Sequence, residues 1–151
     1  MSGFKDLRIV DNFYQTSAFF PMPTVLVGTL SESGQTNLGS YSLCFPYYIA
    51  GKDRYAMLLE CRNNSNTAQN ILRSKKVSLN FIPDNRRYFR EAVRLGFPGD
   101  TTEQKMKDCL FTLEKGMAEG ERPLIVSEAV QVFECTLNDS LENSFADTAG
   151  H

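Results

Sequence analysis

The first strong pattern along the chain is a nearly unbroken apolar and β-branched run, Thr24 to Leu30, opened by Pro21 and Pro23. It predicts a strand. Ser31-Glu32-Ser33-Gly34 reads as a tight turn, with Gly34 supplying a positive φ. A second strand follows over Gln35 to Phe45 and is predicted to end at Pro46. Gly39 inside it marks a bulge or a close backbone approach. Lys52-Asp53 is a turn before a third strand, Arg54 to Cys61. From Asn63 to Asn66 the residues are small and polar, and then the period becomes helical. Asn66 with Gln69, or Thr67 with Asn70, could serve as N-cap and N3 partner of a short helix ending near Arg73. Val77 to Ile82 reads as a fourth strand, stopped by Pro83.

From Asp84 to Leu95 the spacing is helical, with Tyr88, Phe89, Ala92, Val93 and Leu95 on one broad face. Gly96, Pro98 and Gly99 break it. Thr101 and Gln104 stand at capping-box spacing at the head of a second short helix. Gly116 and Gly120 bracket a loop, and Ala129 to Leu137 alternates as a fifth strand. Residues 138–151 are polar and carry no predicted element. The order of strands, short helix, strand, helical excursion and strand reads as α+β, mainly β, with antiparallel strands. No helix separates the first three strands, which argues against a doubly wound parallel sheet.

The length of 151 residues fits one domain spanning 1–151. The content of 11 Phe and 6 Tyr supports a real core. Lys and Arg number 16 against 18 Asp and Glu, a net charge of −2. Such a chain has no general attraction for nucleic acid or anionic membrane, so any basic site must be local. Cys44, Cys61, Cys109 and Cys135 are far apart, form no C-x-x-C pair, and sit in apolar runs that suit buried free thiols. With His151 as the one histidine, no structural metal site is expected. The N-terminus lacks an apolar core of signal-peptide length, and no stretch approaches the ~18 apolar residues of a membrane span. A reducing, cytoplasmic setting is expected.

The familiar catalytic spacings, G-x-S-x-G, G-x-x-x-x-G-K-[ST] and G-x-G-x-x-G, are missing. Any chemistry is therefore expected from a cofactor, with no catalytic side chain. Two polar stretches stand out. Thr36 to Ser42 sets hydroxyls and an amide at a turn-to-strand junction. Arg62 to Asn70 sets a cation, then Ser65, Asn66 and Thr67, at the start of a helix, which is phosphate-binding chemistry. The same residues also read as ordinary turn and capping chemistry.

The run PMPTVLVGTLSESGQTNLGSYS resembles the opening of the flavin reductase-like family, the FMN-binding split β-barrels. Thr67-Ala68-Gln69-Asn70-Ile71 with the strand Val77 to Phe81 is similar to that family's T-x-x-N-I helix and apolar-Asn strand. FTLEKG followed by RPLIVSEAVQVFEC resembles its helical excursion and "E-C" strand. The resemblance covers roughly residues 19–137. It implies FMN, less often FAD, in a groove at a homodimer interface, with NAD(P)H as co-substrate. Asn37, Leu38, Gly39, Ser40 and Ser42 would then lie along the ribityl chain and ring, and Arg62, Ser65 and Thr67 would hold the phosphate, with Asn66 and Asn70 as further candidates. Asn80 could be structural or a ligand contact.

Two departures accompany the resemblance. Family members usually continue with further strands where this sequence stops at His151, so the chain is either a shortened member or a fragment. Tyr41, Phe45, Tyr47 and Tyr48 make one region unusually aromatic, and these rings could stack near the flavin or pack in the core. The function implied is an oxidoreductase that takes hydride from NAD(P)H onto flavin N5. The alternatives are an FMN-binding electron carrier, and a dimerising split-barrel relic without flavin.

Overall fold

Every residue of Val25–Leu30 (β1) is buried, because β1 is paired along both edges and covered on both faces. The structure, a computed structural model, describes residues 22–49 and 54–138. Thr36–Tyr41 (β2) pairs with one edge of β1 and Lys76–Phe81 (β5) with the other; Gln131–Thr136 (β8) extends the sheet beyond β5. The order is β2-β1-β5-β8, all antiparallel, and this sheet is open among the described residues. Cys44–Ile49 (β3) and Arg54–Leu59 (β4) form a separate hairpin, as do Leu113–Glu114 (β6) and Ile125–Val126 (β7). Three helices complete the described chain: Asn66–Ser74 (α1), Arg86–Gly96 (α2) and Thr102–Met106 (α3).

The two-residue period of the strands sorts the core into two clusters. Val25, Val27, Val77 and Leu79 meet Ile71 of α1 and Cys44 of β3 on one face. Leu26, Leu38 and Ile82 meet Ala92 and Leu95 of α2, Phe111 and Val126 on the other. On that second face Gly28 allows a close crossing: a Cβ there would stand 3.2 Å from the carbonyl of Leu124. Ser78 Oγ donates to the same carbonyl at 3.2 Å. Asn80, fully buried, donates to the carbonyl of Leu26 and accepts from the N–H of Val126, both at 2.9 Å. Its amide thus fastens β7 to the sheet, a structural role.

The structure corrects several expectations. The stretch 35–45 is two strands, separated at Ser42-Leu43, and Pro46 lies inside β3 instead of ending a strand. The reason is positional. Glu60 N–H donates to Leu43 at 2.9 Å, so 43 and 60 form a bonded pair, and alternation puts Pro46 opposite Met57 in a non-bonded pair. A missing N–H costs nothing there. Val93 is 63% exposed, off the buried stripe of α2. The fifth predicted strand contracts to β8, and β6 and β7 are too short to show a period in the sequence. Phe45 and Tyr48 face solvent instead of packing in the core. Cys44 is buried, whereas Cys61, Cys109 and Cys135 are half-buried free thiols. The predicted Lys52-Asp53 turn and residues 139–151 lie outside the described residues.

The excursion after β5 has its own fastening. Glu91 accepts from Arg94 Nε at 2.9 Å and Nη2 at 2.5 Å, and from the N–H of Leu110 at 3.0 Å. Thr101 and Gln104 close the predicted capping box at the head of α3.

Two outcomes are expected. Asn80→Ala strands the buried N–H of Val126, at about 1–3 kcal/mol, and takes the second donor from the Leu26 carbonyl, which keeps its ladder bond to β5; chemical denaturation should show a loss of that order. The Arg94 guanidinium, then the Leu110 N–H, hold the Glu91 carboxyl below the usual carboxylate range against the opposing effect of burial. A lowered folded value stabilises fully above the unfolded value of about 4.3 and is lost as pH falls through the folded one. Glu91→Gln should therefore remove part of the acid-side decline in stability below about pH 4.3, read from unfolding midpoints against pH.

Candidate functional site

β2 is an edge strand, and the register of its hairpin with β1 decides which of its main-chain groups are available. Ser31 N–H donates to Gln35 at 2.9 Å, and Gly34, at φ 80°, donates back to Ser31 at 3.0 Å. With 31 and 35 as a bonded pair, residues 37, 39 and 41 point their peptide groups at β1, and 36, 38 and 40 point theirs outward. No described residue meets the outward N–H and C=O groups of Leu38 and Ser40. Among the described residues this edge is a short row of unclaimed donors and acceptors.

The side chains of Asn37 and Tyr41 lie on the α1 face, as would any at Gly39. Gly39 is where β2 and α1 touch: a Cβ there would stand 2.7 Å from Thr67 Oγ1 and 2.9 Å from the Tyr41 ring. Tyr41 reaches onward, its hydroxyl 3.5 Å from Ser65 Oγ. Ser65 is the N-cap of α1, extended at φ −75° and ψ 149°, and accepts from the N–H of Ala68 at 3.1 Å. The predicted caps were one or two residues later. Asn66 instead spends its amide on the carbonyl of Asp100 at 3.1 Å, and Thr67 and Asn70 are buried inside the helix. The first-turn N–H groups of Asn66 and Thr67 have no partner within the helix. That end of α1 is suited to an anion.

Behind this mouth lies a buried polar cluster. Asn70 Nδ2 donates to Thr29 Oγ1 at 3.1 Å. Asn37 Oδ1 accepts from Thr102 Oγ1 at 3.3 Å, while Asn37 Nδ2, fully buried, has no hydrogen-bond partner among the described residues. Lys105 of α3 is buried as well; burial pushes its ammonium down, and Asp100 partly offsets this.

The ten predicted residues do not all converge. Asn37, Gly39, Ser65, Thr67 and Asn70 gather where β2 meets α1, with Asn66 on the rim. Leu38 buries its side chain in the core, leaving only its main chain at the edge. Ser40 lies on the opposite face, where a Cβ on Gly96 would be 3.6 Å from its own. Ser42 and Arg62 are exposed. Arg62 opens the turn into α1, its carbonyl accepting from Ser65 at 2.9 Å. Sequence reasoning missed Thr29 and Thr102. A hydroxyl inside the apolar β1 run was a usable signal for the first, whereas Thr102 reaches Asn37 across 65 positions with no local signal.

The described residues offer little other chemistry. Burial pushes the Cys44 thiol up to about 11 and raises Cys61, Cys109 and Cys135, so none is an activated nucleophile. Among them no group of three His, Cys, Asp or Glu could hold a metal ion, and no helix is long and apolar enough to cross a membrane. The site can bind and orient a polar ligand with an anionic end.

No family model matches the sequence, and no curated protein matches it. Solved structures do. A split-barrel protein of Shewanella frigidimarina, provisionally called a flavin reductase, aligns at TM-score 0.69 and 18% identity over 95% of this chain and 73% of its own. Flavoredoxin of Desulfovibrio vulgaris aligns at 0.64 and 22% identity over 95% and 69%. An FMN-binding domain of a flavin reductase-like enzyme from Shewanella baltica aligns at 0.62 and 17% identity over 93% and 68%. Superposition over 93–95% of this chain at these TM-scores fixes the architecture: this chain has the split-barrel fold of flavin reductase-like proteins.

Proposed function

We propose that this chain is a member of the flavin reductase-like family and an FMN-dependent oxidoreductase that draws on NAD(P)H. The observation that carries the reading is the meeting of β2 with α1, where Gly39 leaves room beside Thr67 and the N-terminus of the helix opens next to a strand edge. The residues present fit FMN in kind. A phosphate suits the free N–H groups of α1 with the hydroxyls of Ser65 and Thr67 and the guanidinium of Arg62. A heteroaromatic edge rich in carbonyls and nitrogens suits the outward main-chain groups of Leu38 and Ser40. The orphaned amide of Asn37 is a further donor in reserve. Asn66 and Asn70, already bonded to Asp100 and Thr29, act by holding the mouth in shape. One helix N-terminus suits the single phosphate of FMN better than the pyrophosphate of FAD.

When bound, the flavin supplies hydride acceptance at N5 and onward electron transfer, and the chain supplies binding and orientation. No side chain is needed as acid or base. Half-exposed Leu43, Phe45 and Tyr48, with Tyr55 at 76% exposure, leave the β3–β4 hairpin with an apolar surface. A homodimer that buries it and brackets the flavin fits this surface. The four free thiols fit a cytoplasmic protein.

Titrating the purified chain with FMN under anaerobic conditions and then adding NADPH or NADH tests the reading. Saturable quenching of flavin fluorescence followed by bleaching is expected. Binding without bleaching would leave an electron carrier, and no binding would sink the flavin reading altogether. Arg62→Ala should weaken FMN by about ten- to a hundredfold, the worth of a charge-assisted hydrogen bond of ~1.5–3 kcal/mol. Riboflavin, which lacks the phosphate, should be almost unaffected; equal losses for both would move the phosphate away from Arg62.

A further inference from the structure

A second candidate site lies along α2, away from the β2–α1 mouth. Arg86, Arg87, Arg90 and Arg94 line an open groove of about 730 Å³, together with Glu91 and Asp108. Arg94 is spent: it grips Glu91 and donates to the carbonyl of Lys105 at 3.0 Å. The guanidinium groups of Arg86, Arg87 and Arg90 have no hydrogen bond or ion pair to any described residue. Four guanidinium groups against Glu91 and Asp108 leave the groove at 4 − 2 = +2, on a chain whose net charge is −2. Uncompensated cations in a concave surface repel one another, and an anion relieves that repulsion.

Spacing narrows the choice of anion. Arg86, Arg90 and Arg94 recur every four residues on one helix face, so their attachment points are about 6 Å apart at 1.5 Å rise per residue. The row therefore spans about 12 Å, more than a single phosphate can bridge. Planar guanidinium forks bind phosphate oxygens in pairs and stack on purine rings. At its other end α2 reaches the β2 edge, with Gly96 against Ser40.

We propose that this groove binds the phosphates of a nucleotide, and specifically the pyrophosphate and 2′-phosphate of NADPH. The groove as a nucleotide-phosphate site stands on the arginines alone; naming the nicotinamide dinucleotide rests on the oxidoreductase reading above. The groove would make this chain prefer NADPH to NADH, because only NADPH carries the third phosphate.

Calorimetric titration of the flavin-free chain with adenosine 2′,5′-bisphosphate, and with adenosine 5′-monophosphate as control, tests this. The bisphosphate should bind at least tenfold tighter, and its affinity should fall as salt rises from 50 to 200 mM. The double variant Arg86→Ala/Arg90→Ala should lose at least tenfold of that affinity while keeping its circular dichroism and its FMN affinity. Alanine at exposed helix positions favours the helix, so misfolding does not confound the result. No binding of the bisphosphate, or unchanged binding by the double variant, would overturn the proposal. So would binding of polyglutamate in its place, which would give the groove to an acidic protein. If FMN binds and the bisphosphate does not, the groove proposal alone fails. If the bisphosphate binds and FMN does not, the groove stands and the oxidoreductase reading falls.

Discussion

The constraint on which this fold rests is that β1 can leave no peptide group and no side chain to water. A strand buried on both faces needs a hydrogen-bonded neighbour on each edge and a cover above and below. Here β2 and β5 supply the edges, α1 with the β3–β4 hairpin supplies one cover, and α2 with β6–β7 supplies the other. The polar residues placed among these layers are consistent with that demand. Asn80 sits at the centre of the sheet because β7 needs an acceptor for Val126 and β1 offers the carbonyl of Leu26. Gly28 is small because the chain at Leu124 must come close.

The candidate site follows from the same layering. Each cover ends near the outer strand β2, so among the described residues one edge of β2 has no strand partner just where α1 begins. A donor-rich strand edge and a helix N-terminus, brought together by the absence of a side chain at Gly39, form a polar mouth over an apolar sheet. Among the side chains of the described residues, the buried amide of Asn37 is the exception to the general matching of buried polar groups. An unmatched donor at such a position is a cost to folding that a ligand can offset.

What was legible in the sequence was local. The β1 run, the Ser31–Gly34 turn and the Thr101–Gln104 box each depend on residues within a few positions of one another, and all three appear as read. Pro46 misled because a proline ends a strand only where its N–H is needed, and pairing partners are not visible in the sequence. The cap of α1 was misplaced because several cap-competent residues stand in a row, and the choice of Ser65 is made with the help of Tyr41 and Asp100 from elsewhere. The stretch 36–42 reads as a unit in the sequence, yet alternation sends Leu38 into the core and Ser40 to the opposite face. A family resemblance names a stretch; the pleat decides which atoms of it are offered.

The tie between Asn66 and Asp100 has a consequence for how the protein acquires its site. That bond joins positions 34 apart, and Thr102 meets Asn37 across 65. Contacts of such separation close large loops and form only after local structure is in place. The pairings that build the sheet, Val25 with Phe81 and Lys76 with Thr136, close loops of the same order, so the mouth and the sheet are assembled together once the excursion folds back onto α1. Ligand occupancy would therefore report that the whole fold, sheet and excursion alike, is complete.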